Sequence, residues 1–177
     1  MNTICIVCGS SPGNHKDYAN VARFLAKRLV DKKITIVYGG SEGGLMGEVA
    51  NTAMQCGGKV IGVITNDLLK INGNRNITQL EIVGSMHERK SRFSELCDGY
   101  IALPGGFGTF EEIFEAITWN QLGIHNRPTG LLNVNGFFDH LIGLISHARD
   151  RGFIKNSYAR SVLVSSNVED LLRKMLI

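Results

Sequence analysis

Short apolar runs recur along the chain, each followed by a Gly-rich or polar turn and then by a stretch of helical periodicity. Thr3–Cys8 (TICIVC) shows no polar alternation and reads as a strand buried on both faces. A helix is predicted over Lys16–Asp31, with Val21, Phe24, Leu25, Leu29 and Val30 on its apolar stripe. Strands are predicted at Ile34–Tyr38 and Val60–Ile64, with a helix over Leu45–Cys56 between them. Residues 65–79 read as irregular and polar around Asn72-Gly73-Asn74, leading to a short strand within Ile77–Val83. A helix over Ser85–Cys97, a strand at Tyr100–Leu103 and a helix over Thr109–Leu122 follow. The pattern closes with a strand at Thr129–Asn133, a helix over Phe137–Arg151, a strand at Val162–Val164 and a helix over Val168–Met175. Such alternation predicts an α/β fold, a Rossmann-like parallel sheet with helices on both faces. No linker or compositional break interrupts it, so residues 1–177 are expected to form one domain.

Composition narrows the function class. Hydrophobic residues make up 44% of the 177 positions and charged residues 20%, as in a globular protein able to bury a core without disulfides. The formal net charge of +3 comes without any long Lys/Arg run, so no nucleic-acid partner is expected. No apolar run is long enough to span a bilayer, and the N-terminus has neither a basic leader nor a small-residue cleavage site. Cys5 and Cys8 match C-x-x-C but sit on one strand, where residues three apart face opposite ways. All four cysteines therefore read as reduced, mostly buried thiols of a cytoplasmic protein.

Three predicted strands run straight into glycine-rich turns: Cys8–Gly13, Tyr38–Gly44 and Leu103–Thr109. In a parallel sheet all three lie at the carboxyl edge, where open α/β folds bind ligands. Glycines there let backbone approach a ligand, and a helix start supplies free N–H groups for phosphate. The expected cradle comprises Gly9, Ser10, Gly39, Gly40, Gly105, Gly106, Phe107 and Gly108. Tight β–α turning alone also explains any single loop; convergence of three favours a phosphorylated ligand. No loop fits G-x-G-x-x-G or G-x-x-x-x-G-K-[ST], and the second strand ends in Tyr38 rather than an acidic residue. Dinucleotide and P-loop chemistry are disfavoured, and a single phosphate fits better.

Two charged clusters stand beside this cradle. Thr109-Phe110-Glu111-Glu112 opens a predicted helix with Thr109 as its N-cap. That places Glu112 either as the return arm of a capping box or as a carboxylate projecting into the cleft. Glu111 is expected to point elsewhere and be solvated. Met86-His87-Glu88-Arg89-Lys90 opens another helix, where cations oppose the dipole, which an anionic ligand would explain. The scattered histidines offer no metal-ligand spacing, and no G-x-S-x-G motif is present, so no metal or cofactor is expected.

Pro104-Gly105-Gly106-Phe107-Gly108-Thr109-Phe110-Glu111-Glu112 matches P-G-G-x-G-T-x-x-E, and Met86–Lys90 matches M-H-x-R-K. Together with Cys8–Gly13, Tyr38–Gly47 and Thr118–His125, these segments resemble the LONELY GUY family of cytokinin riboside 5′-monophosphate phosphoribohydrolases, over nearly the whole chain. Ser41-Glu42-Gly43 departs from the family's second loop, which more often reads Gly-Ser-Val or similar. The resemblance implies hydrolysis of a nucleoside 5′-monophosphate, AMP or an N6-modified AMP, to free base and ribose 5-phosphate. It implies Arg89 and Glu112 as the catalytic pair, with Lys90, Gly106, Gly108, Thr109 and Thr118 lining the nucleotide site, and a homodimer. Its members are often labelled lysine decarboxylases, but Lys90 reads as part of an exposed charged segment, unsuited to a Schiff base. The competing reading is a nucleotide or cofactor carrier on the same fold. A carrier needs the glycines but not Arg89 and Glu112.

Overall fold

The computed structural model describes residues 1–177. Seven strands form one parallel sheet: β1 (Thr3–Val7), β2 (Thr35–Tyr38), β3 (Val60–Thr65), β4 (Gln79–Val83), β5 (Gly99–Ala102), β6 (Thr129–Leu132) and β7 (Val162–Ser165). Their spatial order is β4-β3-β2-β1-β5-β6-β7, and every pairing is parallel. The chain winds outward from β1 to β4, then returns to place β5 on the other flank of β1. The crevice between β1 and β5 is thus the topological switch point of the sheet.

The strand alternation divides the core between two faces. Ile4, Ile6 and Cys8 pack with α1 (Lys16–Asp31), α2 (Gly44–Gln55) and α8 (Val168–Lys174). Cys5 and Val7 pack on the other face with α4 (Met86–Leu96), α5 (Phe107–Gln121) and the start of α6 (Asp139–Asp150). The two cysteines of C-x-x-C therefore sit in different cores, and all four thiols are free, with Cys56 exposed. No helix is long and apolar enough to cross a membrane.

Predicted and observed elements differ in three places. The irregular stretch contains α3 (Asn66–Asn72), capped by Thr65 Oγ1, which accepts from Leu68 N–H. Leu68 and Ile71 face an open cavity rather than the core, so no core-facing stripe marks the helix in the sequence. A short helix α7 (Asn156–Ser161) was likewise absent from the pattern. Finally, α5 starts at Phe107 with Gly106 as N-cap, two residues before the predicted start. Thr109 lies inside its first turn, so Thr109-x-x-Glu112 is not a capping box. The box-like cap belongs to α4: Ser85 Oγ accepts from Glu88 N–H, and Glu88 Oε2 accepts from Gly84 N–H at 2.7 Å.

Candidate active site

The carboxyl edge of the sheet encloses a cavity of about 460 Å³, within the range that holds a small organic ligand. All three glycine loops reach it: Gly9 and Ser10 from the first, Gly39 and Ser41 from the second, Gly106, Phe107, Gly108 and Thr109 from the third. Arg89 of α4 and Glu112 of α5 line it too. Four of the expected site residues do not. Gly40, at φ +74°, packs against Ile64 and Leu80; Gly105 is wedged between Thr109 and the Gly9 amide; Thr118 is exposed further along α5; and Lys90 turns to the far side of Glu112. Sequence reasoning missed one wall, formed by Leu68, Ile71 and Asn72 of α3 with Ile64 and Met86. It is latched to the second loop, because Asn72 donates to Ser41 Oγ at 3.0 Å and Asn74 N–H donates to Gly40 O at 2.8 Å. The Asn72-Gly73-Asn74 turn was the sequence signal for this latch.

The three loops are not equivalent. At the start of α2, the Leu45 and Met46 amides both donate to Gly9 O, so that helix terminus is already occupied by the first loop. At α5 the first intrahelical bond from this end is Phe110 N–H to Gly106 O, which leaves the Phe107, Gly108 and Thr109 amides without helical acceptors. Nothing lies within 4 Å of where a Cβ would stand on Gly106 or Gly108. The third loop therefore presents open backbone and the positive end of α5 to the cavity, the requirements of a phosphate site.

Beside it stands the pair that the sequence placed 23 residues apart. Arg89 Nη1 lies 3.2 Å from Glu112 Oε1, and both side chains are nine-tenths buried or more. Three further contacts fix the guanidinium. Nε donates to Val63 O at 2.9 Å, Nη2 donates to Gly39 O at 3.1 Å, and the group stacks 5.1 Å from the Phe93 ring centroid. Gly39 is glycine for a local reason: a Cβ there would overlap Arg89 Nη2 and meet Met46 Sδ at 2.9 Å. Burial pushes the Glu112 carboxyl up to about 7, against the opposing pull of Arg89, and neighbouring Glu111 adds to the rise. Among the lining residues Glu112 is the one carboxylate and Arg89 the one guanidinium or ammonium.

The cations of α4 thus have partners within the protein, where the sequence suggested an anionic ligand. Arg89 meets Glu112, and Lys90 meets Glu111 and Glu115. Glu111 is half exposed and paired rather than simply solvated. Lys90 is largely buried, not exposed, yet it remains unsuited to a Schiff base because two carboxylates hold its ammonium charged. No cluster of three or more His, Cys, Asp or Glu side chains is placed to hold a metal ion.

A family model described as "Possible lysine decarboxylase" matches residues 46–175. The chain is 42% identical over 177 residues to a probable cytokinin riboside 5′-monophosphate phosphoribohydrolase of Oryza sativa subsp. japonica, covering 99% of this chain and 76% of that protein. It is 44% identical over 172 residues to a cytokinin riboside 5′-monophosphate phosphoribohydrolase of Arabidopsis thaliana, covering 96% and 80%. In fold it is similar to the X-ray structure of TM1055, with a TM-score of 0.77 at 21% identity over 99% of both chains. It is also similar to a molybdenum cofactor binding protein from Rippkaea orientalis, with a TM-score of 0.73 at 20% identity over 100% and 99%. The family model's description and the relatives' names disagree about chemistry. No lysine lines the cavity, so its residues do not fit pyridoxal-dependent decarboxylation.

Proposed function

The chain belongs to the LONELY GUY family of cytokinin riboside 5′-monophosphate phosphoribohydrolases, and from that membership we propose how its own residues carry the reaction. The enzyme is an N-glycosidase. It hydrolyses the base–ribose bond of adenosine 5′-monophosphates, N6-modified or not, releasing free base and ribose 5-phosphate. The observation that carries the residue assignment is the buried Arg89–Glu112 pair beside a free helix start. The 5′-phosphate docks on the Phe107, Gly108 and Thr109 amides. As the C1′–N bond stretches, positive charge builds on the ribosyl ring, and the Glu112 carboxylate stabilises it. Glu112 takes the proton of the water that adds to C1′. A carboxyl that titrates at about 7 can return that proton to the departing base in the same turnover. Arg89, held by three protein acceptors, orients Glu112 and keeps its charged form accessible.

The phosphate assignment has a direct test. Incubation with AMP, with its N6-isopentenyl analogue and with the two parent nucleosides should release free base from the nucleotides. The nucleosides should react at least about 100-fold more slowly, since charge-assisted N–H contacts to the phosphate are lost. Equal rates for nucleotide and nucleoside would overturn the assignment, and binding of AMP without turnover would favour the carrier reading.

The same reading extends to assembly and location. Residues 1–177 act as a single domain in the cytoplasm, without a nucleic-acid partner. Phe114, Leu122 and Ile124 expose apolar surface on and just after α5, next to the half-buried Trp119. A homodimer covers this face. Light scattering at micromolar concentration should give twice the chain mass, and a monomer mass would count against it.

A further inference from the structure

Lys90 follows Arg89 in α4 but serves a different set of carboxylates. Its Nζ lies 2.7 Å from Glu115 Oε2 and is also ion-paired with Glu111 Oε1. The side chain is only 12% exposed. On α5, Glu111 precedes Glu112 by one residue and Glu115 follows it by three, so three carboxylates share little more than one helical turn. Lys90 and Glu112 also line a small pocket of about 10 Å³ with Phe93, Tyr100, Glu115, Ala116 and Trp119, room for one water. Lys90 therefore stands behind Glu112, across a small shared pocket, while the larger cavity lies on the other side.

We infer that Lys90 is a positioning residue for the hydrolysis: by engaging Glu111 and Glu115 it shields Glu112 from their charge and keeps the carboxylate available near neutral pH. This rests on the reading of Glu112 as the catalytic carboxylate. The groups facing Glu112 are Arg89 and Lys90 from α4, Glu111 and Glu115 from α5, the Cys5 thiol from β1 and the Cys8 thiol just after it, and Tyr100 of β5 across the small pocket. Burial raises both thiols and Tyr100 well above their ordinary ranges, so they stay protonated and neutral. That leaves two cations that lower Glu112 and two anions that raise it. Arg89 is committed to Glu112 itself; Lys90 is the balance against the other two. Glu115 is the more buried of these and the less screened by solvent.

The pH–rate profile of nucleotide hydrolysis tests this. The rate should rise with pH through the Glu112 titration, with an acid limb at about 7 in the native enzyme. Lys90→Met removes the cation and frees two carboxylates, so the limb should move up by about one pH unit. Rates on the acid side should then fall about tenfold with little change on the alkaline plateau. Glu111→Gln/Glu115→Gln with Lys90 retained should move the limb down, and the triple variant should return towards the native profile. Lys90→Arg, which can still reach both carboxylates, should hold it. Uniform loss of rate at every pH, or a raised KM with the limb unmoved, would overturn the inference and make Lys90 a structural or ligand-binding residue. If Lys90→Met fails to fold, the Glu111/Glu115 double variant decides alone, and an unmoved limb there refutes the proposal. Full activity of Glu112→Gln would remove the underlying reading. An inactive Glu112→Gln alongside an unmoved limb would remove only the role of Lys90.

Discussion

Glu112→Gln should cut turnover by about 100-fold or more while leaving the enzyme folded, as expected when a preorganised electrostatic group is lost. Glutamine keeps the shape and an acceptor oxygen for Arg89, but it has no charge for the ribosyl cation and no site for the proton of the attacking water. Helix capping does not blur the result, because α5 is capped at Gly106 and Glu112 makes no cap contact. Stability gives a second readout. The folded-state value of Glu112 is raised to about 7 from an ordinary 4.5. Its contribution to stability is thus fully present below the ordinary value and is lost as pH rises through 7. Native enzyme should lose up to about 3 kcal/mol from this one group between pH 5 and pH 8, and the glutamine variant should not. Kinetics at neutral pH, with thermal melts at both pH values, check the two halves. Near-native turnover with a lowered melting temperature would shift the search for the carboxylate to Glu111, Glu88 or Glu42.

Much of the fold was legible because buried strands and amphipathic helices leave periodic signatures. The bounds of α1 follow from its apolar stripe, and the opposite facing of Cys5 and Cys8 follows from strand geometry. Of the two helices that escaped, α3 turns Leu68 and Ile71 towards a cavity, and its seven residues are too few to show a period. The start of α5 escaped because a glycine N-cap carries no side-chain signal and Phe107 is 93% exposed, so hydrophobicity could not mark the first turn. For the site, the family resemblance named Arg89 and Glu112 as a pair, while the chemistry of the residues alone pointed to each separately. Their meeting depends on α4 and α5 converging on one sheet face, a long-range fact. The partners of Lys90 were hidden for the same reason. The occupation of the α2 start by Gly9 O is likewise tertiary, and it singles out one glycine loop among three similar ones.

Arg89→Met should be as damaging to the rate as the glutamine variant, and the pH at which activity returns should reveal how arginine acts. The guanidinium is planar and forked, and it bonds Val63 O, Glu112 and Gly39 O through three separate nitrogens, a spread that the single nitrogen of an ammonium does not match. Arg89→Lys is therefore expected to rescue little. Without the guanidinium, Glu112 becomes a buried carboxylate with no direct counter-charge, and it takes up a proton rather than stay charged. Protonation caps the loss of stability at about 2–4 kcal/mol, arising from the broken pair and the two carbonyls that lose a charged donor. If Arg89 works by holding Glu112 charged, the variant should be at least about 100-fold slow at neutral pH and should recover as pH rises, once Glu112 ionises. A loss that stays constant across the alkaline range would instead place the guanidinium in contact with the reacting nucleotide. Gly39→Ala supplies an independent route to the same answer. Its methyl would occupy the seat of Arg89 Nη2, and the tip of a long side chain can swing away, so the fold should survive. Yet the swing separates Arg89 from Glu112, and Gly39→Ala should reproduce the slow, alkaline-shifted profile with Arg89 and Glu112 both still present.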